Sequence, residues 1–287
     1  MAFNLTNLLS TLITANHILA YHSVLDAYGH ISTRNPANAS TFYLSRNLAP
    51  ALVSRASDIV EYDVSTAQPV QGSDSAPSGY VERFIHSEIY RRHPGVASVI
   101  HSHAPDVLPY SVVEVPFQPL DQAGTAIGKC IPRTAGPAPV WDSAAPALVV
   151  SNARLGASLA AAFGPSNATA RNATSPPPHA LVLMHGHGMA VVGASVVDAV
   201  FRAVYAVVAA RQEVTALALA GLGGRDGQPR VGGDAGGGVR YLSAEERVAA
   251  SVAGLLGNEG RAWELWVREV EAAAKGAVFR NEVGSPI

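Results

Sequence analysis

The chain has 287 residues, 48% hydrophobic and only 15% charged. That composition fills a sizeable core and excludes an intrinsically disordered chain, and the length fits one large domain or a domain with a C-terminal extension. A formal net charge of −2 without a basic run argues against a nucleic-acid partner, and the single cysteine, Cys130, rules out an intrachain disulfide. No lysine or arginine precedes Arg34, so a secretory or transit leader is not expected. No uninterrupted apolar run reaches the roughly 18 residues of a membrane span. The expectation is a cytoplasmic protein that does not cross a membrane.

Leu5, Leu8, Leu9, Leu12, Ile13, Ile18, Leu19 and Leu25 recur at helical spacing and predict a helix over 3–27, closed by Tyr28-Gly29. Strand-like segments follow at 30–34, 41–44 and 59–64. After a Gly/Pro/Ser loop at 68–79, a helix is predicted over 80–92, stopping ahead of Pro94. Residues 96–101 read as a buried strand and 112–115 as a short one. Residues 116–140 lack periodicity, 144–163 suit a helix, and 164–178 form a polar insert. Residues 181–184 and 189–192 are strand runs around a His-Gly-His-Gly turn. Ser195 with Asp198 makes a capping box for a buried helix reaching about Leu219, with Gly221 as its stop. The Gly-rich stretch 221–240 neither follows a strand nor opens a helix, which argues against a phosphate loop. Ser243 with Glu246 forms a second box, for a helix to about Lys275 carrying Trp263 and Trp266. Strands alternating with helices indicate an α/β layered domain over 1–220. A flexible loop at 221–242 and a helical extension at 243–287 complete the chain, the extension packing on the same domain or on a neighbouring subunit.

Four residues carry the chemistry. His101 and His103 flank a serine at a strand end, where side chains two apart project the same way and can reach one ion. Imidazole suits Zn, Fe, Mn or Ni. His187 stands between two glycines, which permit a tight turn and a close approach. His185 falls on the same face by alternation, and spacing alone does not choose between them. Glu82 and His86 are four apart on one predicted helical face. Glu82 is then a fourth ligand or a general base, since a carboxylate beside a dication stays ionised and can take a proton.

In order along the chain, Tyr28-Gly29-His30-Ile31-Ser32-Thr33-Arg34, Glu82-x-x-x-His86, His101-x-His103-x-Pro105 and His187-Gly188 with Gly193 resemble the linked motifs of the class II aldolase/adducin-like family. The resemblance covers roughly residues 8–220. It implies a three-layer α/β/α fold with a central, largely antiparallel sheet. It also implies a homotetramer with sites near subunit interfaces and one divalent metal ion (Zn, Mn or Fe) per subunit. The family's metal histidines carry over to His101, His103 and His187, and its ligating or catalytic glutamate to Glu82. The Gly193 register favours His187 over His185.

Departures from the family pattern redirect the substrate. The family's sugar-phosphate aldolases carry Ser-Ser before the glutamate and bind phosphate with it; here Tyr80-Val81 stands there, and His30 replaces an asparagine. Tyr80 through His86, with Leu44-Ser45-Arg46, is similar to a branch that decarboxylates hydroxypyridine dicarboxylates. A histidine of that branch is Gln122 here; if it donates protons in relatives, this chain has either lost that donor or given the role to His30 or His185. The resemblance thus implies a metal-dependent carbon–carbon lyase that decarboxylates a hydroxy-aromatic or related hydroxy/keto acid through a metal-stabilised enolate-like intermediate. Glu82 and His30 would handle protons. Arg46, a planar two-pronged donor, would hold the acid with Ser45, and Tyr80 and Phe84 would line an apolar wall. The alternatives are a non-haem iron oxygenase on the same fold and an aldolase acting on a non-phosphorylated substrate.

Overall fold

The computed structural model describes residues 4–70, 79–128, 148–165, 175–223, 238–252 and 258–287. Cys130, most of the 164–178 insert and most of the Gly-rich stretch lie outside the described residues. The strands are β1 (His30–Arg34), β2 (Thr41–Ser45), β3 (Ile59–Asp63), β4 (Ser98–Ser102), β5 (Leu181–Met184) and β6 (Gly188–Gly193). They form one sheet in the order β3-β2-β1-β4-β6-β5, with every pairing antiparallel. The helices are α1 (Leu5–Tyr21), α2 (Arg83–Arg92), α3 (Ala153–Ala162), α4 (Val196–Gly223), α5 (Ala244–Val252) and α6 (Glu259–Ala273).

Strand alternation sorts the sheet into two faces. Ile31, Ile100, Leu183 and Val191 share a core with Leu12 and Ile18 of α1, Phe201 and Val204 of α4, and Trp263 and Trp266 of α6. Phe42, Leu44, Val99 and Val192 face the other way, onto Ile85 and Ile89 of α2 and Leu155 and Leu159 of α3. The result is an α/β/α sandwich. His30 and Ser32 alternate with Ile31, and His101 with Ile100, so these polar groups enter the α2/α3 layer.

Several elements depart from the pattern of the sequence, each for a local reason. Helix α1 stops at Tyr21 because Ser23 takes φ 60° and the chain closes there, with Val24 N–H on the Leu19 carbonyl at 2.8 Å and Ser23 N–H on that of Ala20 at 3.2 Å. Leu25 still packs in the core, and that prolonged the apparent periodicity. Residues 112–115 form no strand: Val112 and Val113 are exposed after the 3-10 turn Leu108–Ser111. Of the helix expected over 144–163, residues 144–147 lie outside the described residues, 148–152 are not helical, and α3 starts at Ala153, where the Asn152 side chain accepts the Leu155 N–H at 3.1 Å.

Around α4, Ser195 Oγ accepts the Asp198 N–H at 3.0 Å, but the Asp198 carboxylate reaches the N–H of Ala194 rather than that of Ser195. Helix α4 continues through Gly221 to Gly223, Gly221 having no positive φ. By length and composition its Val196–Gly221 stretch could cross a membrane, yet Val196 to Ala210 line the sheet core. Ser243 and Glu246 do exchange both capping bonds, at 3.1 and 2.7 Å. The single helix expected after them is described as two, α5 and α6, the second starting behind Asn258.

The C-terminal segment straps α1. Asn281 donates to the Ser10 carbonyl and to Thr14 Oγ1, and Phe279 lies edge-on to His17, whose Nε2 is 2.6 Å from the Val53 carbonyl. Burial pushes the His17 pKa from 6.5 down to about 4, against the opposing effect of that carbonyl. The unfolded chain therefore takes this proton well before the folded one. Stability is full above pH 6.5 and falls as pH drops toward 4, by up to about 3 kcal/mol from this one group. Urea unfolding at pH 7.5 and pH 5 should show the loss, and His17→Gln should make the fall shallower.

Candidate metal centre

β4 lies between β1 and β6, with His101 opposite His30 on one side and Ala190 on the other. His103 follows just past the end of β4. The β5–β6 turn brings His187 to the same place, and this depends on Gly188. Its φ is +143°, and a Cβ there would lie 2.1 Å from the Ser102 carbonyl oxygen. Only glycine lets the hairpin press so closely on the end of β4. The His103 and His187 rings then stack with centroids 5.0 Å apart. Glu82 comes from the opposite layer, at the N-cap position of α2, where its side chain makes no capping bond. Its Oε1 accepts the Val150 N–H at 3.1 Å and lies 3.5 Å from His187 Nε2, while Oε2 lies 3.4 Å from His101 Nε2. One ligand atom from each of Glu82, His101, His103 and His187 falls within 4.8 Å of all the others.

The hydrogen bonds behind the imidazoles fit a metal. His101 Nδ1 lies 3.2 Å from the Met189 carbonyl, and His103 Nδ1 lies 3.2 Å from Asp26 Oδ2. Both partners are acceptors, so each Nδ1 carries the proton and each Nε2 presents a lone pair. Those two Nε2 atoms are 2.9 Å apart. Two neutral imidazoles cannot hydrogen-bond in that arrangement, whereas a shared cation turns the opposed lone pairs into ligands. Burial, then the charge of His101, pushes the His187 pKa down to about 4, and the same two causes lower that of His103. Burial alone would raise Glu82. The imidazoles of His101 and His187 and the Val150 N–H outweigh it and bring the carboxyl down to about 2. Neutral imidazoles and an ionised carboxylate are the forms a divalent ion binds.

The other residues singled out in the sequence distribute around this cluster. His185 turns away, its Nδ1 3.1 Å from the Ser111 carbonyl. Glu82 and His86 do not share a helical face, because Glu82 precedes the helix. His86 is fully buried and meets His30, Nε2 to Nδ1, at 2.7 Å. Tyr80 packs on His30 with ring centroids 4.5 Å apart, and its hydroxyl donates to the Leu48 carbonyl and sits 3.4 Å from Ser45 Oγ. Arg46 lines a cavity of about 340 Å³ that none of the four candidate ligands lines, its Nε 2.9 Å from Asp58 Oδ1. Phe84 is half-buried on the α2/α3 core and carries the Arg83 guanidinium 4.8 Å from its ring centroid. Gln122 leads into the 3-10 turn Ala123–Ile127.

Sequence reasoning missed Asp26, which orients His103 and is itself held by the N–H groups of Tyr28 and Gly29 at 2.9 and 2.8 Å. The local signal was an aspartate placed to cap the turn before the Gly29 motif. It also missed the roles of Ser32 and Tyr90, because Ser32 lies more than fifty residues of chain from both His86 and Tyr90.

Two substitutions separate the metal from the scaffold. His103→Ala should empty the site while far-UV circular dichroism and Tm stay near wild type, because the two cores lie in the flanking helices and strands. Gly188→Ala should lose metal and also lower stability, by about 2 kcal/mol or more, because the hairpin must move off β4. Metal analysis after dialysis, paired with thermal unfolding, distinguishes the two.

Residues 10–214 match the family model for the class II aldolase and adducin N-terminal domain. The chain is 38% identical to the decarboxylase tropJ of Talaromyces stipitatus over 271 residues, 94% of this chain and 96% of that one. It is 29% identical to the 3,4-dihydroxyphthalate decarboxylase of Arthrobacter keyseri over 203 residues, 66% of this chain and 71% of that one. Among solved structures, an aldolase II superfamily protein from Pseudomonas syringae superposes with a TM-score of 0.70 at 18% identity, covering 98% of each chain. The L-fuculose 1-phosphate aldolase of Glaciozyma antarctica superposes with a TM-score of 0.64 at 15% identity, covering 98% of this chain and 96% of that one. With a family match over most of its length and a curated relative aligned nearly end to end, the chain belongs to the class II aldolase and adducin N-terminal domain family.

Proposed function

We propose that this protein is a metal-dependent decarboxylase of a hydroxy-aromatic or closely related hydroxy acid. The observation that carries the reading is the pairing of a complete ligand set with an aromatic neighbour. Glu82, His101, His103 and His187 converge, and Tyr80, tied to the Leu48 carbonyl, packs with its ring tilted against His30 beside them. That surface suits a flat acid better than a sugar phosphate. Both curated relatives described above are named as decarboxylases.

Glu82, His101, His103 and His187 would hold the ion. A divalent cation in that position supplies Lewis-acid stabilisation of the negative charge left when a carbon–carbon bond breaks. Tyr80 confines the ring of the acid and keeps water from it. Arg46, braced by Asp58, holds a carboxylate that is not lost. His30 hydrogen-bonds an oxygen of the bound acid. Glu82, ionised and already among the ligands, takes the proton of the acid's hydroxyl group and returns it to the carbon that has lost carbon dioxide. Apolar Val214 and Leu219 remain 54% and 63% exposed on α4, in keeping with a homo-oligomer.

Protein loaded separately with Zn, Mn or, under anaerobic conditions, Fe should release carbon dioxide from one or more members of a panel of ortho-hydroxybenzoates and dihydroxyphthalates, and a chelator should abolish the release. Aldehyde release without carbon dioxide would replace the proposal with an aldolase, and oxygen consumption by the iron form would replace it with an oxygenase. Arg46→Ala should raise KM at least tenfold while metal content is unchanged.

A further inference from the structure

Behind His30 runs a buried chain of hydrogen bonds that the metal centre does not use. His30 Nδ1 meets His86 Nε2 at 2.7 Å, His86 Nδ1 meets Ser32 Oγ at 2.6 Å, and Ser32 Oγ meets Tyr90 OH at 2.7 Å. Each of the four side chains is at most 1% exposed. At its other end the chain stops: His30 Nε2 has no hydrogen-bond partner among the described residues. His30 lies directly across the β1–β4 ladder from His101, with ring centroids 5.2 Å apart.

The direction of the chain follows from counting protons. Burial pushes the Tyr90 hydroxyl well above its usual range, so it keeps its proton. Among the described residues the acceptor left for Tyr90 is Ser32 Oγ. A serine that accepts from Tyr90 has its single proton to give to His86 Nδ1. Both imidazoles are at most 1% exposed, and among the described residues neither has a hydrogen bond to a carboxylate that would hold a charge. Both rings are therefore neutral, with one proton each. With Nδ1 accepting, His86 carries its proton on Nε2 and donates it to His30 Nδ1. His30 must then carry its own proton on Nε2.

We propose that Tyr90, Ser32 and His86 are positioning residues that lock His30 into its Nε2–H tautomer, so that the chain delivers one fixed hydrogen-bond donor to the edge of the metal centre for a carboxylate or phenolate oxygen of the bound acid. A buried N–H without an acceptor is destabilising, and a ligand oxygen at that point removes the cost. A ligand presenting N–H or O–H there leaves two donors opposed and is rejected, which makes the chain a selector for an oxyanion. The ligand class rests on the decarboxylase reading; the tautomer does not.

The test has two arms. Nitrogen-15 spectra of histidine-labelled, metal-free wild type, with His30 assigned by its absence in His30→Gln, should show the His30 proton on Nε2. A proton on Nδ1 would overturn the proposal with no variant of the chain needing to fold. In the second arm, salicylate is titrated into zinc-loaded wild type and zinc-loaded Tyr90→Phe and Ser32→Ala. Affinity should fall at least tenfold in both variants while zinc content stays at the wild-type level, and the His30 nitrogen shifts should move toward a tautomer mixture. Unchanged affinity with unchanged shifts would sink the positioning role. Failure of wild type to bind salicylate would count against the acid substrate alone, and the spectra would then decide the tautomer.

Discussion

The opposed lone pairs of His101 and His103 are the constraint on which the centre depends. Each imidazole is committed through Nδ1 to an acceptor, Met189 carbonyl for one and Asp26 carboxylate for the other, and that commitment leaves two Nε2 atoms 2.9 Å apart with nothing to exchange. An arrangement of this kind is destabilising for the protein alone and favourable around a cation. It also fixes the neighbours. Glu82 must stay ionised beside the imidazoles, and the β5–β6 hairpin must press onto β4 closely enough to exclude a side chain at position 188.

The sheet serves this centre by dividing its residues between layers. On one face Ile31, Ile100 and Val191 bury against α1, α4 and α6, a dry core with the volume to hold the strands in register. On the other, His30, Ser32 and His101 interrupt an otherwise apolar surface of Phe42, Leu44 and Val99 under α2 and α3. Buried polar groups are tolerated there because nearly all are satisfied by one another, His30 by His86 and His86 by Ser32. A network tied at that many points has little freedom to rearrange, which is what a site needs if a ligand atom is to meet one nitrogen in one protonation form.

Much of this was legible in the chain. The strand runs, the His-x-His pair at the end of a buried strand and the histidine between glycines all follow from local periodicity and backbone permissiveness. The errors fell where a local signal met a tertiary decision. Leu25 extends the apolar rhythm of α1 because it enters the core, while Ser23 ends the helix. Glu82 and His86 have helical spacing, yet the helix begins one residue after Glu82, which frees that carboxylate to turn to the histidines. Residues 112–115 are rich in valine, but among the described residues no strand pairs with them, and propensity without a partner does not make a strand.

The sequence by itself determined the fold class, the family motifs and the four ligand types, because these depend on residue identity, order and short-range spacing. Only the tertiary structure decided which atoms of those residues meet. It turned His185 toward Ser111 and His187 toward Glu82, gave His103 its carboxylate in Asp26, and joined His30 through His86 and Ser32 to Tyr90. Those links connect positions tens of residues apart across strands and layers. Side-chain direction at such distances is set by strand register and helix placement, and neither is written in the spacing of neighbouring residues.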